Sequence, residues 1–235
     1  MDFQRRLLAA LLCCLGTGLA MAVVPVAPPA VESVAPAAPA PRVALETSQG
    51  RIVLELYPQH APETVANFLE YARSGHYNGT VFHRAIYGVL VQGGGFTPDL
   101  QPKPERQPVA NEAGNGLRNT RGTLAAARRP AVDESAGAQF FINLRDNGDF
   151  DRHASGGTEA GGYCVFGRVI DGLDVADRIA ALPTGARDPF DADVPLTAVV
   201  IDSAQILPPV AAPVVAPIKP VAPPALPVAD PPTHP

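Results

Sequence analysis

Proline divides this chain into three parts before any motif is read. Six of its 27 prolines fall in residues 23–41 and eleven in residues 208–235, while the 166 residues between hold only ten. Proline lacks a backbone N–H and has a fixed φ, so it removes hydrogen bonds from both helices and sheets. The two outer segments are otherwise mostly Ala and Val. Chain of this kind favours an extended, polyproline-like course without a packed core. We therefore expect a disordered linker at 23–41, a folded domain at 42–207 and a disordered tail at 208–235.

Ahead of the linker, Arg5 and Arg6 precede an apolar run from Leu7 to Leu19, and Ala20-Met21-Ala22 follows. A positive start, a short apolar stretch and a small-x-small site read as a secretory signal over residues 1–22, cleaved after Ala22. The run is shorter than the roughly 20 apolar residues of a membrane-spanning helix. Export without stable membrane insertion is the expectation. Cys13 follows Leu12, where lipid attachment would need a small residue. Cleavage would leave Cys164 alone, unable to form an intramolecular disulfide; beside Val165 and Phe166 it reads as a buried small hydrophobe. A net charge of −5 and a pI near 5.5 lack the basic footprint of a nucleic-acid binder.

Strand signals dominate the domain. Val43–Thr47 and Arg51–Tyr57 flank Ser48-Gln49-Gly50 as a hairpin. Further strand-like runs lie at Val81–Ile86, Val89–Gln92, Gly122–Ala127, Phe140–Leu144, Tyr163–Val169 and Ala198–Leu207. Pro62 opens a helix in which Val65, Phe68, Leu69 and Ala72 share a face, with Gly75 as its stop. A second helix runs to about Ala181, with Asp171 as its cap. Many short strands with two helices suggest a closed antiparallel barrel whose ends the helices cover. Scattered histidines give no metal-ligand cluster, and neither a nucleophile elbow nor a phosphate loop is present. Gly93-Gly94-Gly95 lacks phosphate-loop spacing and reads as a turn at a strand end. No cofactor is expected.

One constellation carries chemistry. Residues 82–96 read Phe-His-Arg-Ala-Ile-Tyr-Gly-Val-Leu-Val-Gln-Gly-Gly-Gly-Phe. Residues 121–128 read Arg-Gly-Thr-Leu-Ala-Ala-Ala-Arg, 138–143 Ala-Gln-Phe-Phe-Ile-Asn, and 163–168 Tyr-Cys-Val-Phe-Gly-Arg. In this order they resemble the cyclophilin family of prolyl isomerases, particularly its exported bacterial branch, over essentially all of 42–207. The resemblance implies a mainly β fold: a closed eight-stranded antiparallel barrel with two capping helices. It also implies a monomer acting on proline-containing polypeptides and, with the leader, a periplasmic location. It makes Arg84 the catalytic arginine and Gln92 and Gln139 orienting groups for the substrate backbone, with Phe141 the floor of a proline pocket. Phe82, Val89, Leu90, Ala127, Arg128, Phe150 and Tyr163 complete the implied binding surface. Each has a plainer reading: Arg84 as a surface ion pair, Phe82 and Phe141 as core, the glutamines as partners for backbone. Phe140 and Phe141 must point to opposite faces of a strand, and the family pattern, not the spacing, selects Phe141. His83 is expected to be structural.

The chain departs from the family pattern at Val89-Leu90, where Phe-Met is common, and at Asp149, where an aromatic used in cyclosporin binding normally sits. Between Asp151 and Tyr163 lies a Gly-, Ser- and Thr-rich loop expected to be mobile. The Val89 and Asp149 changes leave a second expectation beside the enzyme: a proline-peptide-binding chaperone or receptor with weakened catalysis.

Overall fold

Apolar alternation sets the first hairpin. The computed structural model describes residues 39–129, 136–153 and 161–209. The expected leader, nearly all of the linker, the tail from residue 210 and residues 154–160 of the loop lie outside the described residues. β1 (Arg42–Thr47) pairs with β2 (Gly50–Leu56), setting Val43 opposite Leu54 and Leu45 opposite Ile52, all fully buried. α1 (Pro62–Arg73), β3 (Thr80–Ile86), β4 (Leu90–Gly93), β5 (Thr123–Ala126) and β6 (Phe140–Asn143) follow. Then come β7 (Val165–Asp171), α2 (Leu173–Ala180), β8 (Thr184–Arg187), β9 (Phe190–Pro195) and β10 (Val200–Leu207).

Eight strands close into an antiparallel barrel in the order β1-β10-β3-β4-β6-β5-β7-β2, with β2 returning to β1. Its interior is filled by one cluster that also takes Val65, Phe68, Leu69 and Ala72 from α1 and Val175, Ala176, Ile179 and Ala180 from α2. The helices cap opposite ends. Gly50, at the start of β2, abuts Val175, whereas α1 follows β2's other end. At the centre, Phe140 meets Phe68 edge-on at 5.5 Å and Tyr77 at 5.5 Å. Burying each such ring contributes about 1.5–3 kcal/mol.

Two local features differ from expectation. Asp171 does not cap α2; it is the last residue of β7 and pairs with Val53. The cap is Gly172, at φ 79°. A Cβ there would lie 2.1 Å from the Arg51 carbonyl oxygen, so the strand-to-helix junction passes β2 too closely for a side chain. The β8–β9 hairpin was not anticipated, although Asp188-Pro189 between its strands is a turn signal. It packs against β3 outside the barrel.

The start of α1 is capped from a distance. Its N-cap, Ala61, has no side chain that can accept a hydrogen bond. Instead Glu112, in the long connection between β4 and β5, accepts from the backbone N–H of Glu63 (3.2 Å) and Thr64 (2.8 Å) and from Thr64 Oγ1 (2.6 Å). A carboxylate is favoured there by both the unpaired amides and the helix dipole.

Candidate active site

Strand register builds the site as a row across the outer face of the barrel. Arg84 on β3 stands opposite Gln92 on β4, Gln92 opposite Phe141 on β6, Phe141 opposite Ala125 on β5, and Ala125 opposite Val165 on β7. Adjacent strands lie ~4.8 Å apart, so the row passes from a cation, through an amide, to an apolar floor within a few strand spacings. Leu90, Ala125, Phe141 and Val165 form a cluster separate from the interior, while Val91, Leu124, Phe140, Ile142 and Phe166 beside them along the chain point inward.

Arg84 faces outward because β3 carries a bulge. Phe82 pairs with Gly93 and Arg84 with Gln92, leaving His83 as an extra residue between them. Without it, alternation would turn Arg84 into the barrel; bulges commonly re-aim a side chain in this way. Phe82 therefore does not join the site as expected. It is 1% exposed and packs on Phe140 inside the barrel. His83 is buried between Phe96, at 4.6 Å, and Phe190, at 5.3 Å. Burial pushes its pKa down to about 4; a backbone hydrogen bond at Val81 opposes this and the Arg84 charge adds to it. The ring is thus neutral at neutral pH.

The Arg84 side chain is about half exposed. Its Nε lies 3.5 Å from Asp193 Oδ2 of β9. Neither Nη has a partner among the described residues. Next to it, Gln92 Nε2 donates to Gln139 Oε1 at 3.1 Å. Gln139 occupies space left by a missing side chain: a Cβ on Gly95 would stand 2.5 Å from Gln139 Cγ. The glycine run at the end of β4 thus admits a site residue. A cleft of about 670 Å³ is lined here by Arg84, Gln92, Gln139, Ala127, Arg128 and Phe96, among others.

Phe141 forms the floor of the adjoining apolar cage. Phe150 stands edge-on to it at 5.7 Å and Tyr163 at 5.5 Å, and these two meet each other at 5.4 Å. Val89, Leu117 and Ala127 complete the rim beside buried Leu90. Arg128 is largely buried: its Nε donates to the Gly162 carbonyl at 2.6 Å and its guanidinium sits 5.2 Å from the Tyr163 ring centroid. It braces the aromatic wall, with part of its side chain lining the cleft. Asp149 is exposed on a single 3-10 turn, Gly148–Phe150. Cys164 is 2% exposed, and burial pushes its thiol up to about 12, so it carries no thiolate chemistry here.

The structure thus brings together Arg84, Gln92, Gln139, Phe141, Val89, Leu90, Ala127, Arg128, Phe150 and Tyr163, and separates Phe82 from them. Asp193 and the bulge at His83 were not read from the sequence. No local pattern marks an aspartate some 100 residues away as the partner of Arg84.

Comparison with known proteins agrees with this geometry. The family model described as cyclophilin type peptidyl-prolyl cis-trans isomerase/CLD matches residues 42–206. A peptidyl-prolyl cis-trans isomerase of Streptomyces antibioticus is 54% identical over 165 residues, covering 70% of this chain and 98% of that protein. Peptidyl-prolyl cis-trans isomerase B of Escherichia coli is 49% identical over 164 residues, again with 70% and 98% covered. Among solved structures, a cyclophilin type isomerase of Cryptosporidium parvum superposes with a TM-score of 0.60 at 26% identity, over 72% of this chain and 98% of that one.

Proposed function

The chain belongs to the cyclophilin-type peptidyl-prolyl cis-trans isomerases, and from that premise we propose that it works on proline-containing segments of exported proteins in the periplasm, using Arg84 as its catalytic residue. The Cryptosporidium relative was also crystallised in the presence of the dipeptide Ala-Pro, which supports a site shaped for X-Pro segments. The observation that carries the reading is the cross-strand row from Arg84 through Gln92 to Phe141.

Rotation about an X-Pro bond crosses a barrier of ~18–20 kcal/mol because amide resonance must be given up. No bond is broken and no proton need move. As the amide twists, the prolyl nitrogen gains a lone pair that the planar ground state lacks. A guanidinium N–H aimed at that nitrogen binds the twisted state better than the planar one, and such differential binding accelerates the step. Asp193 engages Nε, so the Nη donors of Arg84 face the substrate. Arginine keeps its charge and presents its donors in a rigid fork. The cage over Phe141 grips the pyrrolidine ring while the preceding residue turns, and Gln92 and Gln139 hydrogen-bond the substrate backbone.

Arg84→Ala tests this. Losing one charged transition-state donor lowers kcat/KM by about 10²–10³, by analogy with deletion of an oxyanion donor. Its pair with Asp193 is long and half exposed, worth at most about 1 kcal/mol, so the fold stays intact. Wild-type turnover of a proline peptide by the folded variant refutes the assignment. The export reading rests on the leader at 1–22, and cell fractionation checks it: the protein is expected in the periplasmic fraction with Val23 as its first residue.

A further inference from the structure

Three of the rim residues that enclose Phe141 have little regular structure to hold them. Val89 sits in the turn before β4, Phe150 ends a single 3-10 turn, and Tyr163 precedes β7. Behind them lie three asparagines, Asn119, Asn143 and Asn147, 2%, 0% and 4% exposed. None takes part in the row that faces the substrate, yet they form a continuous chain of hydrogen bonds. Asn147 Nδ2 donates to Asn143 Oδ1 at 2.8 Å, and Asn143 Nδ2 donates to Asn119 Oδ1 at 3.2 Å and to Thr123 Oγ1 at 2.9 Å.

The free ends of this chain reach the backbone of the rim. Asn147 Nδ2 also donates to the Val89 carbonyl at 3.1 Å. Asn119 Nδ2 donates to the Phe150 carbonyl at 3.1 Å and the Tyr163 carbonyl at 3.2 Å. The carbonyls at its ends thus belong to three residues whose side chains wall the proline pocket. Main-chain bonds tighten the arrangement: Asn147 N–H to the Asn119 carbonyl, Phe150 N–H to that of Asn147, and Tyr163 N–H to that of Phe150, at 2.8, 2.9 and 2.8 Å. Asp151 closes the end by accepting from Asn119 N–H at 2.6 Å.

We propose that the buried Asn119–Asn143–Asn147 chain is a positioning device for the proline pocket, setting Val89, Phe150 and Tyr163 at the spacing a pyrrolidine ring requires. The proposal rests on the reading of the Phe141 cage as that pocket. A primary amide suits the task because it donates and accepts at once, so a run of them can pass a fixed orientation along while leaving no buried charge. The site then has two independent controls. The bulge and Asp193 aim the guanidinium, while the asparagines set the cage. Grip on the proline ring is shared by the planar and twisted states, so loosening the cage raises KM without lowering kcat.

The test uses Asn147→Ala and Asn119→Ala in the full-length protein. Kinetics with an Ala-Pro tetrapeptide are paired with its dissociation constant from NMR titration, well below each variant's unfolding temperature. We expect KM and the dissociation constant to rise about three- to tenfold, with kcat within twofold of wild type. Ala176→Gly, in α2 and away from the site, supplies a comparably destabilised control whose KM stays at the wild-type value. If neither alanine variant folds, Asn147→Ser, which keeps a polar side chain, is read in the same way. The proposal is overturned if the folded variants keep wild-type KM, if kcat falls instead, or if Ala176→Gly raises KM equally. A wild-type protein that neither binds nor turns over the peptide would refute the pocket reading itself; normal wild-type behaviour with unchanged variants would refute only the asparagine device.

Discussion

His83 makes acid stability a quantitative test of how β3 is built. The ring is 2% exposed, wedged between Phe96 and Phe190, and its Nδ1 has no hydrogen-bond partner among the described residues. Burial takes its pKa from the ordinary 6.5 to about 4. The unfolded chain therefore binds a proton at a pH where the folded chain does not. This contribution to stability is fully present above pH 6.5 and is lost as the pH falls from there towards 4. At about 1.4 kcal/mol per pH unit, the complete loss is about 3 kcal/mol, of which about 2 kcal/mol has gone by pH 5. Carboxylates contribute as well, so the measurement is a difference. Urea unfolding at pH 7 and pH 5 is compared between wild type and His83→Gln, which cannot titrate. The wild type should lose about 2 kcal/mol more than the variant over that interval. Equal losses would mean that His83 is not held neutral in the folded state, and the account of the bulge as a dry, aromatic-lined kink would fail.

Glu112→Ala strips α1 of its remote cap and should lower the unfolding free energy by about 1–2 kcal/mol in urea; an unchanged midpoint would refute the capping role. Cyclosporin should bind weakly, because Asp149 is exposed where an aromatic contact is needed. Asp149→Trp should tighten it, as read by isothermal calorimetry, and tight binding by the unmodified protein would refute this. Native alkylation at pH 8 followed by peptide mapping should leave Cys164 unmodified, given its 2% exposure and a thiol pushed up to about 12. Rapid labelling of the folded protein would contradict that burial.

How much of this was legible beforehand follows from where each signal sits along the chain. Val43, Leu45, Ile52 and Leu54 announce strands through alternation alone, and Val65, Phe68, Leu69 and Ala72 announce a helix through periodicity. Most of the residues brought together were legible as a set of short motifs: 82–96 carries Arg84, Val89, Leu90 and Gln92, 121–128 carries Ala127 and Arg128, 138–143 carries Gln139 and Phe141, and Tyr163 opens 163–168. Phe82 shows the limit of such reading. Pure alternation would set Phe82 and Arg84 on one face, and only the extra residue at His83 separates them; a bulge is decided by pairing with β4, which the sequence of β3 does not display. Asp193, Glu112 and the three asparagines were illegible for a related reason. Each acts on residues tens to a hundred positions away, and a lone polar residue carries no mark of its partner. Asp171 misled because Asp is a good cap by chemistry, while the close approach of Arg51 to Gly172 decided the matter by space.

The seam between β1 and β10 joins the first strand of the barrel to the last, pairing Arg42 with Leu207 and Val43 with Ile206. A chain emerging from its N-terminus can zip β1 to β2 at once, yet the other edge of β1 stays open until nearly the whole domain has been made. During that interval Val43, Ala44 and Leu45 line an unpaired strand edge, the kind of surface on which chains aggregate. Contacts at such sequence separation also slow the search for the native state, since loop entropy is spent before pairing rewards it. This member of the prolyl isomerases thus has a closing step of the slow kind in its own folding. Any truncation that removes β10 would open the barrel along two strands, β1 and β3, in place of trimming one edge.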